Sequence, residues 1–129
     1  MTDKEKQDLI NYRLLRAQET LEEVQILYDT EHWNAAINRL YYSCYYAIGA
    51  LLIERGISTK THSGIKQMFG QEIIVPGVLD KRFGIFYSTL FNTRQKGDYD
   101  DFVQLQKRDA DILIPQGKEL INSIRLLLD

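Results

Sequence analysis

The stretch that decides the fold is Trp33-Asn34-Ala35-Ala36-Ile37-Asn38-Arg39-Leu40-Tyr41-Tyr42-Ser43-Cys44-Tyr45-Tyr46-Ala47-Ile48-Gly49-Ala50-Leu51-Leu52-Ile53-Glu54-Arg55. Trp33, Ala36, Ile37, Leu40, Cys44, Ala47, Ile48 and Leu51 fall on one face at helical spacing. Tyr41, Tyr42, Tyr45 and Tyr46 lie on the opposite side. A helix that is apolar or aromatic nearly all round belongs at the centre of a bundle. The pattern predicts a helix from about His32 to Arg55, stopped by Gly56 in the left-handed conformation that glycine adopts without steric cost.

Upstream, Ile10, Leu14, Ala17, Leu21, Val24 and Tyr28 form a single stripe, with Glu19, Glu22, Glu23 and Gln25 elsewhere around the cylinder. No Gly or Pro separates this helix from the central one, and a break is placed at Asp29 to Glu31 because an unbroken rod would be implausibly long. Downstream, Thr61 is an expected N-cap for a short helix through Phe69, and Pro76-Gly77 marks the next turn. The run Ile73-Ile74-Val75 is the one possible strand, too short to carry a sheet. A fourth helix is expected from Leu79 to Lys96, presenting Phe83, Phe86 and Leu90 and ending at Gly97. The last runs from Gln106 to Leu128, with Leu113, Leu120, Ile124 and Leu127 on one side and a kink at Pro115, which lacks a backbone donor. The expected fold is all-α: an up-and-down bundle of four long helices plus a short one, in a single domain over 1–129.

Composition agrees. The 129 residues are about one domain's length, with 44% apolar and 26% charged residues, which excludes collagen-like, disordered and membrane-spanning chains. The opening Met1 to Lys6 has no apolar segment behind it, so no signal peptide is expected. A lone cysteine, Cys44, excludes an internal disulfide or a cysteine-based metal site. The expected location is the cytoplasm. With 16 Lys and Arg against 18 Asp and Glu, the chain is no general polyanion binder; any nucleic-acid contact must come from a local cluster.

Familiar catalytic signatures are missing. No glycine-rich phosphate loop, HExxH or GxSxG occurs, and His32 and His62 have no carboxylate at metal-ligand spacing. Neither a metal nor a cofactor is expected. Cys44, on the apolar stripe, reads as inert core, since reactive thiols need an exposed electropositive setting. The four tyrosines could form a base-stacking platform, but spacing favours core positions for Tyr41 and Tyr45. Arg39 must reach solvent or pair with a carboxylate, because an unpaired buried charge is too costly. At the end of the fourth helix, Asn92-Thr93-Arg94-Gln95-Lys96-Gly97-Asp98-Tyr99 places cations where the helix dipole favours them, and Arg94 could equally grip a phosphate.

Arg39-x-Tyr41-Tyr42, Ala47 to Leu52, Arg55-Gly56-Ile57, Thr61-His62-Ser63-Gly64, Phe69-Gly70 and Arg94-x-x-Gly97-Asp98-Tyr99 follow one another in an order that resembles the HEPN family (higher eukaryotes and prokaryotes nucleotide-binding), in its small single-domain prokaryotic form. The resemblance covers Leu15 to Leu128. It implies a helical bundle, usually a two-fold dimer. Many members are metal-independent ribonucleases whose site is an arginine followed, after four residues, by histidine; others pair with a minimal nucleotidyltransferase as toxin and antitoxin. Here the arginine position is Arg94 and the histidine position is Tyr99. Tyrosine, with a pKa near 10, is a poor general base at neutral pH.

Three functions follow from these readings. The first is binding of RNA or a nucleotide beside a nucleotidyltransferase partner, with nuclease activity weak or absent. Arg94 would hold phosphate, Asp98 orient it and Tyr99 touch a base or sugar, with Arg39 and Tyr42 as further binding candidates. The second is an active ribonuclease using Arg94 and Tyr99. The third is a non-enzymatic dimerisation adaptor. His62 is expected to serve the start of its short helix.

Overall fold

The computed structural model describes Met1–Asp129, and its elements are α1 (Asp3–Asp29), α2 (Trp33–Glu54), α3 (His62–Met68), α4 (Lys81–Tyr99) and α5 (Lys107–Leu128). The chain is an all-α bundle of four long helices and one short one, without a sheet. None of the helices is long and apolar enough to cross a membrane.

Local chemistry sets each boundary. The Thr2 hydroxyl accepts from the Glu5 N–H and the Glu5 carboxylate accepts from the Thr2 N–H, so two donors at the start of α1 are satisfied reciprocally. α1 breaks without a glycine: Glu31 adopts φ 61°, and the Thr30 hydroxyl donates to the Ile26 carbonyl. Gly56, at φ 76°, follows α2 in the expected left-handed conformation. The Thr61 hydroxyl accepts from the Gly64 N–H at 2.9 Å, capping α3.

The one possible strand is absent, and the end of α4 differs from the sequence reading. Ile73 to Val75 form no strand; α3 continues as a π-helical turn over Phe69–Ile74, which buries Phe69 and Ile73. α4 also runs past Gly97 to Tyr99. Gly97 is a contact glycine inside the helix, since a Cβ there would lie 2.9 Å from Leu105 Cδ1. The Asn34 amide ties this junction by donating to the Gly97 and Val103 carbonyls, while its oxygen accepts from the Leu105 N–H.

α2 is central, packing against α1, α5 and α4. Ala36, Ile37, Leu40, Cys44, Ala47, Ile48 and Leu51 are buried, while Trp33 is only half-buried. The Cys44 thiol is inaccessible and burial pushes its pKa up, so it stays protonated. Against α5, Gly117 allows close approach: a Cβ there would stand 2.6 Å from Leu40 Cδ1. Against α1, the Ser43 hydroxyl donates to the Ala17 carbonyl at 2.7 Å. On α5, Leu113, Leu120 and Ile124 are buried but Leu127 is exposed, and Pro115 lies within the helix on a solvent-facing position.

Candidate phosphate-binding site

The apolar stripe of α4 runs Phe83, Phe86, Tyr87 and Leu90, all buried. One turn further along the same stripe comes Arg94, so helical geometry carries a guanidinium into the interior. Its side chain is 4% exposed. It reaches under α2, with Cζ 4.3 Å from the Tyr41 ring centre, 5.6 Å from that of Tyr42 and 5.8 Å from that of Tyr99. Three aromatic faces are thus turned to one cation, an arrangement that stabilises positive charge away from water.

The guanidinium is nonetheless short of hydrogen-bond partners. Nη1 makes two long contacts of 3.4 Å, to Asp98 Oδ2 and to the Tyr99 hydroxyl. Nε is buried with no partner. Nη2 makes no hydrogen bond, and it is not sealed off from solvent. Burial opposes the charge, but Tyr41, Tyr42 and Asp98 more than offset it and raise the pKa, so Arg94 remains a cation. A charged group with free donors, held on a helix and backed by aromatic rings, is suited to an oxyanion such as phosphate.

The Asp98 carboxylate, whose charge the guanidinium offsets, is held in place by the Asn38 amide, which donates to its Oδ2 at 2.8 Å. Asn38 in turn accepts from Arg39 Nε at 3.2 Å. Arg39 reaches Glu23 at 3.6 Å while staying partly open to solvent, so both outcomes open to it from the sequence are met, and it lies 5.0 Å from the Tyr42 ring centre. Tyr42 therefore has two guanidinium groups near its ring, that of Arg39 and, at 5.6 Å, that of Arg94, and belongs to the neighbourhood of Arg94. Tyr99 is 71% exposed at the last turn of α4 and has its ring open to a ligand. Tyr41 is fully buried, Tyr45 half-buried.

Two residues of the cluster were not anticipated. Asn38 stands directly before Arg39 and carries no motif, and its role emerges only once α2 and α4 pack. His62 is the second. The cap of α3 is the Thr61 hydroxyl, while the His62 imidazole turns onto α2: Nδ1 lies 2.8 Å from the Tyr41 hydroxyl, and the ring stacks 4.7 Å from that of Tyr45. It also contacts the rings of Tyr41 and Tyr42, at 5.8 and 5.7 Å. Burial, then the positive charge of Arg94, lowers its pKa below the ordinary value. The imidazole and the guanidinium thus share the same two tyrosine rings. No three His, Cys, Asp or Glu side chains converge as a metal centre requires.

A helical bundle holding an under-bonded arginine beside an imidazole and a row of tyrosines belongs with small helical domains. The comparison with known families is specific: residues 10–127 match the model for the HEPN domain, and the chain belongs to that family. It is 32% identical over 125 residues to a UPF0332 protein of Thermotoga maritima, covering 97% of this chain and 95% of the relative. It is 34% identical over 113 residues to the putative toxin MJ0142 of Methanocaldococcus jannaschii, covering 88% and 77% of the two chains. Among solved structures, the fold matches ST0689, an archaeal HEPN homologue, with a TM-score of 0.75 at 17% identity, over 93% of this chain and 98% of that one. TT1696 from Thermus thermophilus gives the same score at 13% identity, covering 90% and 95%.

Proposed function

We propose that this chain binds the phosphate of RNA or of a nucleotide at Arg94, as one part of a toxin–antitoxin-like module whose other part is a minimal nucleotidyltransferase. The observation that carries the reading is the state of Arg94: charged, buried, and with donors left unused. Leaving such donors unmet costs free energy that an anionic ligand would recover. Asp98 would hold the guanidinium in place, Tyr99 would meet a base or sugar, and Tyr42 would flank the phosphate with Arg39 near its ring. Two relatives named as putative toxins support the module. A two-fold dimer, placing two such sites together, is part of the proposal. Position 99, a tyrosine, gives no efficient proton transfer, so cleavage driven from that position is weak or absent.

The test is fluorescence anisotropy with a labelled single-stranded RNA, comparing wild type with Arg94→Met. Affinity for wild type that falls about tenfold or more in the variant supports the reading, as expected for losing a charge-assisted contact. Equal binding by the two proteins refutes it. Co-expression with a minimal nucleotidyltransferase tests the partner: co-purification of the two supports the module, and its absence counts against it.

A further inference from the structure

The geometry points to a second binding site, for a small amphipathic carboxylate such as a medium-chain fatty acid, in the cavity between the N-terminal half of α1, the last turns of α2 and the segment leading to α3. This cavity shares no lining residue with the Arg94 cluster, and the inference does not depend on the reading of that cluster.

The cavity measures about 410 Å³, within the range of about 300–1,000 Å³ that small-ligand sites occupy. Its apolar lining comes from Leu9 of α1, Leu52 and Ile53 of α2, Ile57 just beyond α2, and Ile65 of α3. Leu52 and Ile65 are buried and the other three are half-buried, so the surface that closes the core at this end of the bundle also lines the cavity.

Three cations line the same cavity, Lys6 and Arg13 from α1 and Lys60 from the segment before α3, and no carboxylate does. The acidic side chains next to them in sequence are engaged elsewhere: Glu5 caps α1, Asp8 pairs with Lys4, and Glu54 lies 3.9 Å from Arg55. Lys6 and Arg13 are half-buried, yet none of the three cations forms an ion pair or a side-chain hydrogen bond. Nor do they cap α2, whose last carbonyls accept from the N–H groups of Arg55, Gly56 and Ile57. Partly desolvated cations without partners are costly beside apolar side chains, and an anion in the cavity would recover that cost.

Gly49 makes room for the arrangement. It is buried in the interior of α2, where glycine weakens a helix, and a Cβ at this position would stand 3.0 Å from Arg13 Nη1. The bare backbone lets the guanidinium lie across α2 at the cavity, with its nitrogens still reached by solvent. A guanidinium fork matches the two oxygens of a carboxylate, while Lys6 and Lys60 add charge on flexible stems. With the head at Arg13, the hydrocarbon body lies over Leu9, Ile53 and Ile57.

The test is isothermal titration calorimetry of the full chain with acetate, hexanoate and octanoate below their micellar concentrations, with octanamide as the neutral body and inorganic phosphate as the bare anion. Octanoate should bind, and hexanoate should bind about 15-fold more weakly, the effect of two methylenes leaving water. Acetate, octanamide and phosphate should give no measurable binding. Arg13→Met should weaken octanoate about tenfold or more, the loss of a charge-assisted contact. Gly49→Ala should displace the guanidinium and weaken octanoate as well, with a urea midpoint no lower than that of wild type, which separates a lost site from a lost fold. Arg94→Met should bind octanoate as wild type does. No binding by wild type, or equal binding by Arg13→Met, overturns the proposal. So does octanamide or phosphate binding as tightly as octanoate, which would leave an apolar cleft or a bare cationic patch. Loss of binding in Arg94→Met would put the ligand at the other cluster and overturn it too.

Discussion

α2 has two contrasting sides. Toward α5, Leu40 and Cys44 close on Gly117 so tightly that no room remains for a Cβ. Toward α4 and α3, Tyr41, Tyr42 and Tyr45 surround Arg94 and His62, and two buried polar atoms, Arg94 Nε and the Tyr87 hydroxyl, go without partners. The first side is ordered for stability, with the Leu40 side chain packed on Gly117 and the Cys44 thiol paired with the Gly117 carbonyl. The second tolerates an under-bonded cation and unmet hydrogen-bonding capacity, which is costly for a core and useful for a site that has yet to meet its ligand. The same helix supports both because residues one position apart, such as Leu40 and Tyr41, point to different neighbours.

The largest effect should come from the packed side. Leu40→Ala removes a fully buried side chain from the α5 crossing and should cost about 2–5 kcal/mol, measured by the urea midpoint. A loss under 1 kcal/mol would mean that Gly117 and its helix collapse into the gap, and the packed side would be looser than its contacts suggest. Gly97→Ala follows. The new methyl presses on Leu105 and on the loop that Asn34 fastens, and overpacking of about 1–3 kcal/mol is set against up to about 1 kcal/mol of helix propensity gained. The net loss should be about 1 kcal/mol, accompanied by weaker RNA binding as the last turn of α4 shifts.

Arg94→Met sharpens the contrast in the opposite sense. Methionine fills similar space beneath the tyrosines and leaves no unmet donor, while Asp98 keeps its bond from Asn38. Stability should fall by no more than about 1 kcal/mol: Asp98 loses its cation, which is costly for a buried pair, but it is partly exposed and keeps its bond from Asn38, and the unmet Nε donor disappears. A loss as large as that of Leu40→Ala would make the arginine a structural element and erase the distinction between the two sides.

The two sides also differ in how well the sequence announces them. Ala36, Ile37, Leu40, Cys44 and Leu51 declare a central helix by period alone, because a helical stripe is a local property of the chain. The end of α4 was harder to place. Gly97 reads as a stop signal, yet it is a contact point for Leu105, which no local rule reveals. The run Ile73 to Val75 is apolar enough for a strand, yet Ile73 is buried in a helical turn while Val75 is exposed, a split that no local pattern announces. Arg94 stood out through family resemblance together with its place on the stripe of α4. His62 and Asn38 did not, since their partners, Tyr41 and Asp98, lie 21 and 60 residues away and meet them only through packing.

The smallest effect isolates His62 itself. Its pKa in the folded chain lies below the ordinary 6.5, from burial and then from Arg94. Between the two values the unfolded chain binds more protons than the folded one, so stability rises with pH there. The contribution is present above the unfolded value and is lost as pH falls through the folded one. Asp111 and Glu119, whose pKa values are lowered by Tyr28 and Arg82 respectively, titrate below that window. Wild type should therefore lose stability on going from pH 7 toward pH 5, and His62→Gln should flatten that slope, as read from urea midpoints. An unchanged slope would show that the imidazole titrates as it would in water, placing it outside the Arg94 cluster. Arg94→Met in the same series should reduce the slope without abolishing it, because the guanidinium is the lesser of the two causes and burial remains.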